Sequence, residues 1–122
     1  MKLCSIEMRS EGEGWKSNIS AEGKVENNDG VKFFYEVDGD SCTLSYKDGI
    51  VTQQRLGEQN ITITFQEGIK TYFMLKSGGF SGSYDIFTHR LNFNAGSAEY
   101  LLRLEYLNGD EPVKLTFKAY LH

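Results

Sequence analysis

The residues best suited to chemistry in this sequence are its two histidines and two cysteines. His89 follows Asp85 by four positions, and a nearby Ser or Cys would complete an arrangement for nucleophilic catalysis. In an extended strand, residues four apart share a face but are separated by about 13 Å. Asp85 and His89 therefore cannot contact each other along one strand. Since the sequence also carries no catalytic signature, we expect a protein that is not an enzyme.

Neither the histidines nor the cysteines have the spacing of a metal site. Cys4 and Cys42 are far apart, and the second histidine, His122, is the last residue of the sequence. The segment Asp38-Gly39-Asp40 is typical of a hairpin turn and lacks the dense carboxylates that calcium requires. We predict no metal and no cofactor. We interpret both cysteines as small buried hydrophobic residues in a reducing cytoplasm.

The tyrosines give a more specific signal. Most of them share the parity of the apolar residues in their own segment: Tyr35, Tyr46, Tyr84, Tyr100 and Tyr106. Burying an unpaired hydroxyl costs on the order of 1–3 kcal/mol, so inward-facing tyrosines need partners. In one interpretation they lie near strand ends with their hydroxyls in water. In the other they line a partly hollow barrel that offers apolar walls and a few polar groups to a small molecule.

Two arginines beside apolar or aromatic segments fit the second interpretation. Arg55 and Arg90 are candidates for anchoring an anionic head group. The ligand-binding residues predicted from the sequence are Tyr35, Tyr46, Arg55, Tyr84, Thr88, His89, Arg90 and Tyr106.

Composition limits the partners of this chain. It has 122 residues, 17 of them acidic and 13 basic, so one domain over residues 1–122 with a net charge of −4 is expected. Scattered bases in an acidic chain argue against nucleic-acid binding. No segment approaches the roughly 20 apolar residues of a membrane helix, and the N-terminal segment lacks the apolar core of a secretion signal. We predict a cytoplasmic protein with no nucleic-acid or membrane partner, and we leave a homodimer open.

The elements that must position these residues are β-strands. Apolar and polar residues alternate with a period of two in several segments. These segments are 4–8, 19–25, 31–37, 42–46, 60–66, 69–75 and 113–121. Turn residues such as Asn108-Gly109 recur about every 8–12 residues, which favours antiparallel hairpins. Because a sheet of many strands closes or splits, we predict an all-β fold, a single antiparallel up-and-down β-barrel of about 8–10 strands.

Three segments depart from simple alternation. Residues 97–108 contain good helix formers, but their parity favours a strand over a helix. The glycine cluster at residues 78–82 predicts a bulge or a sharp bend. The apolar parity slips between Thr88 and Leu91, which predicts a second bend near His89.

Short hydrophobic and glycine patterns carry a family resemblance. They are Phe34-Tyr35-Glu36, Leu44-Ser45-Tyr46-Lys47, Ile61-Thr62-Ile63 followed by Gly68, Gly82-Ser83-Tyr84-Asp85-Ile86-Phe87-Thr88, and Leu104-Glu105-Tyr106. From about residue 19 onward, their order resembles the YwiB-like group of uncharacterised bacterial proteins. The resemblance implies a closed, calycin-type (lipocalin-like) β-barrel with an interior able to hold a ligand. It implies no established activity.

Two functions are predicted from the sequence, and an enzyme with a cleft in which His89 meets a carboxylate or a cysteine ranks third. The leading one is a non-enzymatic barrel that binds a small, partly apolar or anionic molecule in its interior. The alternative is a structural or protein-interaction module whose barrel is solidly packed and whose outer face binds a protein partner. The state of the barrel interior distinguishes the two.

Overall fold

The computed structural model describes residues 1–122 and consists almost entirely of β-strands. The strands are β1 (Lys2–Gly12), β2 (Trp15–Asn27), β3 (Val31–Val37), β4 (Asp40–Lys47), β5 (Ile50–Leu56), β6 (Gln59–Gln66), β7 (Lys70–Ser77), β8 (Phe80–Ala95), β9 (Glu99–Asn108) and β10 (Glu111–Leu121). Residues 99–108 form a strand, as the parity of that segment predicts.

The ten strands form one closed barrel in which each strand pairs with its neighbours in sequence. Every named pairing is antiparallel, and the ring closes where β1 pairs with β10, from Cys4 opposite Leu121 to Glu11 opposite Lys114. Closure satisfies the backbone groups that an open sheet would leave unpaired at its edges. The prediction of an all-β, up-and-down barrel is therefore confirmed, at the upper end of the expected strand number.

Tight turns set the register of the hairpins. Asp38 and Gly39 both have positive φ, 51° and 83°, and so do Asp48 and Gly49, at 50° and 80°. Two consecutive residues with positive φ form the type I′ turn, whose twist matches that of paired strands. Asp tolerates this conformation better than most residues, and Gly adopts it without strain.

The glycine cluster at 78–82 forms a different structure from the one expected. Gly78, with φ of 59°, and Gly79 form the turn between β7 and β8, where Ser77 pairs with Phe80. The prediction of a bulge or bend there is wrong, because the paired glycines complete a two-residue hairpin loop. The bend near His89 is confirmed, since the register of β8 against β9 shifts between Thr88 and Arg90.

The core occupies the interior unevenly. At its centre, Phe33 packs against Tyr100 and Phe117, with ring centroids 5.3 and 4.9 Å away. On β5, β6 and β7 the inward-facing side chains are less buried toward one end, which we call the barrel mouth: on β5, Val51 is buried and Arg55 is partly exposed. The mouth is the end at the turns that follow β1, β3, β5, β7 and β9. The opposite end is the closed end.

Candidate functional site: the barrel mouth

Two rows of inward-facing side chains line the mouth across β5 to β8. One row runs from Arg55 through Ile61 and Leu75 to Gly82. The row beneath it consists of Gln53, Ile63, Phe73 and Tyr84. These positions face inward because they alternate with outward residues of the same strands. Together they give the mouth a mainly apolar wall with a few polar groups.

Tyr84 shows that this wall is open to solvent. It pairs with Phe73, which packs against the core, and the two rings meet edge to face with centroids 5.6 Å apart. Although it faces inward, Tyr84 is 53% exposed. An inward aromatic ring with this exposure means that no opposing side chain covers it.

Arg55 is held at the rim of the mouth by an ion pair. Its Nε donates a hydrogen bond to Oδ2 of Asp40, at 2.7 Å, and this bond raises the pKa of Arg55. Gly57 accommodates the Asp40 carboxylate, because a Cβ at residue 57 would collide with it. The position of Arg55 therefore depends on a short carboxylate at residue 40 and on the absence of a side chain at residue 57.

A cavity of about 540 Å³ opens beside this ion pair. It is lined by Asp38, Asp40, Arg55, Glu58, Gln59 and Ile61. Three carboxylates face a single guanidinium, which Asp40 already neutralises. The electrostatic potential at this side of the mouth therefore favours a neutral or positively charged group over an anion.

Side chains from opposite walls form the floor of the mouth. Nε2 of Gln53 on β5 lies 3.7 Å from Sδ of Met8 on β1. Tyr35 and Tyr106 are buried at this level, and burial raises the pKa of both hydroxyls to about 12. These tyrosines are neutral hydroxyl groups throughout the physiological pH range.

The structure separates the eight predicted ligand-binding residues into three groups. Tyr35, Arg55, Tyr84 and Tyr106 lie at the mouth or at its floor. Tyr46 lies toward the closed end, where it stacks on Phe93 with centroids 4.3 Å apart.

The remaining three residues flank the bulge in β8. Thr88 is fully buried and its Oγ1 has no hydrogen-bond partner. His89 and Arg90 lie on the outer surface, His89 beside the ring of Phe87 and Arg90 in an ion pair with Glu105, at 3.3 Å. The bulge explains this division, because it changes which residues of β8 face inward.

A second histidine forms a contact that the sequence did not indicate. Nε2 of His122 lies 2.7 Å from Oγ of Ser5 and 3.1 Å from Oε2 of Glu22. In a catalytic triad the nucleophile and the acid contact different ring nitrogens, whereas here both contact Nε2. No group of three or more His, Cys, Asp or Glu side chains is arranged to hold a metal ion.

A solved structure with a similar fold supports this architecture. It is the crystal structure of the ywiB protein from Bacillus subtilis, which matches with a TM-score of 0.79 over 98% of this chain and 90% of that chain. The fold is YwiB-like. At 15% identity the likeness concerns the fold alone. No family model and no curated protein matches the sequence. The structure contains no helix that could span a membrane.

The residues of the mouth that sequence reasoning missed are Gln53, Asp40 and the acidic pair Asp38 and Glu58. In β5 the apolar residues Ile50 and Leu56 lie on the outer face, so alternation alone did not place Gln53 inside the barrel. The pairing of Asp40 with Arg55 had no local signal, because the two residues are 15 positions apart and meet only through the register of β4 on β5.

Proposed function

We propose that this protein binds a small, partly apolar molecule at the barrel mouth and does not transform it. The exposure of the inward-facing Tyr84 carries the proposal. Apolar surface gains about 25 cal/mol for each Å² removed from water, and a ligand seated against Tyr84, Phe73 and Leu75 would remove such surface. Apolar walls with a few oriented polar groups are the usual composition of a small-molecule site.

The charges of the rim restrict the polar part of this ligand. The sequence-based hypothesis assigned an anionic head group to Arg55, but Asp40 occupies that guanidinium. Asp38 and Glu58 line the same cavity without an ion-pair partner. We therefore propose a ligand whose polar part is neutral or carries an amine rather than a carboxylate.

We also propose that this protein is related to calycin-type barrels and that it is located in the cytoplasm. Cys4 and Cys42 are free and buried, and burial raises the pKa of both thiols. Two unreactive thiols are compatible with a reducing compartment. Support for the calycin-type relationship is that closed antiparallel barrels such as lipocalins can hold one small ligand in their interior.

The experiment compares two exposed tyrosines that face opposite sides of the sheet. Tyr84 is 53% exposed and faces inward, whereas Tyr72, 50% exposed, faces outward from the adjacent strand. A thermal-shift screen of aromatic amines, aliphatic amines and matched carboxylic acids is run on the wild type, Tyr84→Ser and Tyr72→Ser. We expect amines to raise the Tm of the wild type and of Tyr72→Ser but not of Tyr84→Ser. Equal shifts in both variants, or no shift with any compound, would contradict the proposal.

The outer surface of the β7–β8 hairpin favours a second candidate function, a protein-interaction module. Tyr72, Met74 and Phe87 are exposed there on neighbouring strands. A second copy of the chain could cover this surface. Light scattering over a range of concentrations tests this candidate: a homodimer that Tyr72→Ser disrupts would support it, and a monomer at every concentration would contradict it.

A further inference from the structure

A row of polar side chains crosses the outer face of the barrel on the wall away from the β6–β7 hairpin. Arg103 on β9, Thr116 on β10, Arg9 on β1 and Asn18 on β2 are successive cross-strand partners. They face outward because they alternate with inward-facing residues of the same strands. Adjacent strands lie about 4.8 Å apart, so the backbones of Arg9 and Arg103 are about 10 Å apart with Thr116 between them.

These two arginines differ from the others in the chain. Arg55 and Arg90 form ion pairs with Asp40 and Glu105. Arg9 and Arg103 form none, and the hydroxyl of Thr116 between them has no hydrogen-bond partner within the chain. Two free guanidinium groups and a free hydroxyl thus lie in one row.

The short Thr116 side chain leaves a depression between the longer arginines. A cavity of about 240 Å³ contains Arg103, and a second of about 400 Å³ contains Lys16 and Lys114. Arg9 and Thr116 line both cavities, so the cavities adjoin.

The charge of this face is opposite to that of the whole chain. Five cationic side chains line the two cavities against two carboxylates, Glu7 and Glu11, and a third carboxylate, Glu105, lies beside them, 4.0 Å from Lys114. The chain as a whole has a net charge of −4. Cations gathered on one wall of an acidic protein create a local positive potential that attracts anions.

We propose that this face binds a small phosphorylated molecule, with one phosphoryl group between Arg9 and Arg103 and a second anionic group toward Lys16, because Lys114 already pairs with Glu105. Guanidinium groups bind phosphoryl oxygens through paired hydrogen bonds, and the Thr116 hydroxyl donates a further one. The two adjoining cavities match a ligand with two neighbouring anionic groups. This site lies outside the barrel and is independent of the mouth.

Pyrophosphate and inorganic phosphate are the probes for this site. Binding is measured by calorimetry at low ionic strength, because salt screens exposed charges. We expect the wild type to bind pyrophosphate more tightly than phosphate. The double variant R9Q/R103Q is expected to bind pyrophosphate about ten-fold more weakly or worse. T116V, which keeps the side-chain shape and every charge, is expected to weaken binding by a smaller factor.

Lys24→Gln supplies the matched control. Lys24 is an exposed residue of β2 in no ion pair, and its loss changes the net charge without altering the row. Equal weakening in K24Q and in a single R9Q variant would overturn the proposal, since attraction would then depend on net charge alone. Absence of pyrophosphate binding by the wild type would overturn it as well.

Anionic vesicles of phosphatidylglycerol distinguish a lipid head group from a free phosphorylated molecule. We expect no co-sedimentation of the protein with these vesicles. Vesicle binding that R9Q/R103Q abolishes, without pyrophosphate binding, would assign the row to a membrane surface and overturn the proposal.

Discussion

Tyr84 and Phe73 face each other across β7 and β8 on the inner side of the barrel, with ring centroids 5.6 Å apart, and Tyr84 remains 53% exposed. In the core, by contrast, Phe33 is fully buried against two aromatic rings. The inner face of the barrel is thus densely packed around Phe33 but open to solvent at Tyr84. This difference predicts different responses to truncation.

Phe33→Ala is expected to lower the free energy of unfolding by about 3–5 kcal/mol, because it removes a buried ring and leaves a cavity. Tyr84→Ala is expected to cost about 1 kcal/mol, since the ring loses only its contact with Phe73. Urea denaturation of both variants measures the difference. A Tyr84→Ala cost equal to that of Phe33→Ala would mean that the mouth is closed in solution.

The two buried threonines are expected to respond oppositely to loss of the hydroxyl. Thr88 Oγ1 is buried without a partner, so Thr88→Val is expected to raise the free energy of unfolding by about 1 kcal/mol. Thr71 Oγ1 donates a hydrogen bond to the carbonyl of Thr64, so Thr71→Val is expected to lower it by a similar amount. Urea midpoints for the two variants check the signs, and stabilisation by Thr71→Val would contradict this account.

Gly57 and Gly79 are expected to differ in their tolerance of a methyl group. A Cβ at residue 57 collides with the Asp40 carboxylate, whereas a Cβ at residue 79 meets nothing within 4 Å. Gly57→Ala should displace Asp40, break its bond to Arg55 and lower the Tm, while Gly79→Ala should leave the Tm nearly unchanged. Differential scanning calorimetry of the pair checks this, and equal Tm values would contradict it.

Tyr35 and Tyr106 make the barrel sensitive to high pH. Burial raises the pKa of both hydroxyls to about 12, above the value near 10 of an unfolded tyrosine. The unfolded chain therefore loses these protons first, and stability is complete below pH of about 10 and falls as the pH rises toward 12. The loss is roughly 2 kcal/mol for each group. Urea midpoints at pH 9 and 11.5 measure it, and the double variant Tyr35→Phe, Tyr106→Phe should show a smaller decrease.

Asp40→Asn is expected to change the ligand preference of the mouth more than its stability. The pair with Arg55 is partly exposed, so its loss should cost about 0–1 kcal/mol. The freed guanidinium would then favour carboxylates over amines in the thermal-shift screen. An unchanged preference would mean that the Asp40–Arg55 ion pair does not determine which ligands bind.

The sequence predicted most of the strands, because one face of each strand packs against the core and this imposes a period of two on the side chains; β5 was not among the predicted segments. The segments around Ile63 and Leu115 carry this period, and both lie in strands. Arg90 does not face the interior as predicted, because a single bulge in β8 exchanges the inward and outward positions of that strand. The row formed by Arg9, Thr116 and Arg103 was also not predicted, since Arg9 on β1 meets Thr116 on β10 only through the pairing that closes the barrel.

The closing pair of strands also affects how the chain reaches this structure. All strand pairings except β1 with β10 join consecutive strands, so they can form locally as hairpins within microseconds. Cys4 and Leu121 lie near opposite ends of the chain, so their pairing closes the longest loop of the fold, and we expect ring closure to be a late and comparatively slow step. Until then β1 and β10 are unpaired edges able to join another chain. We therefore expect the β1–β10 interface to protect partly folded forms of this barrel from aggregation.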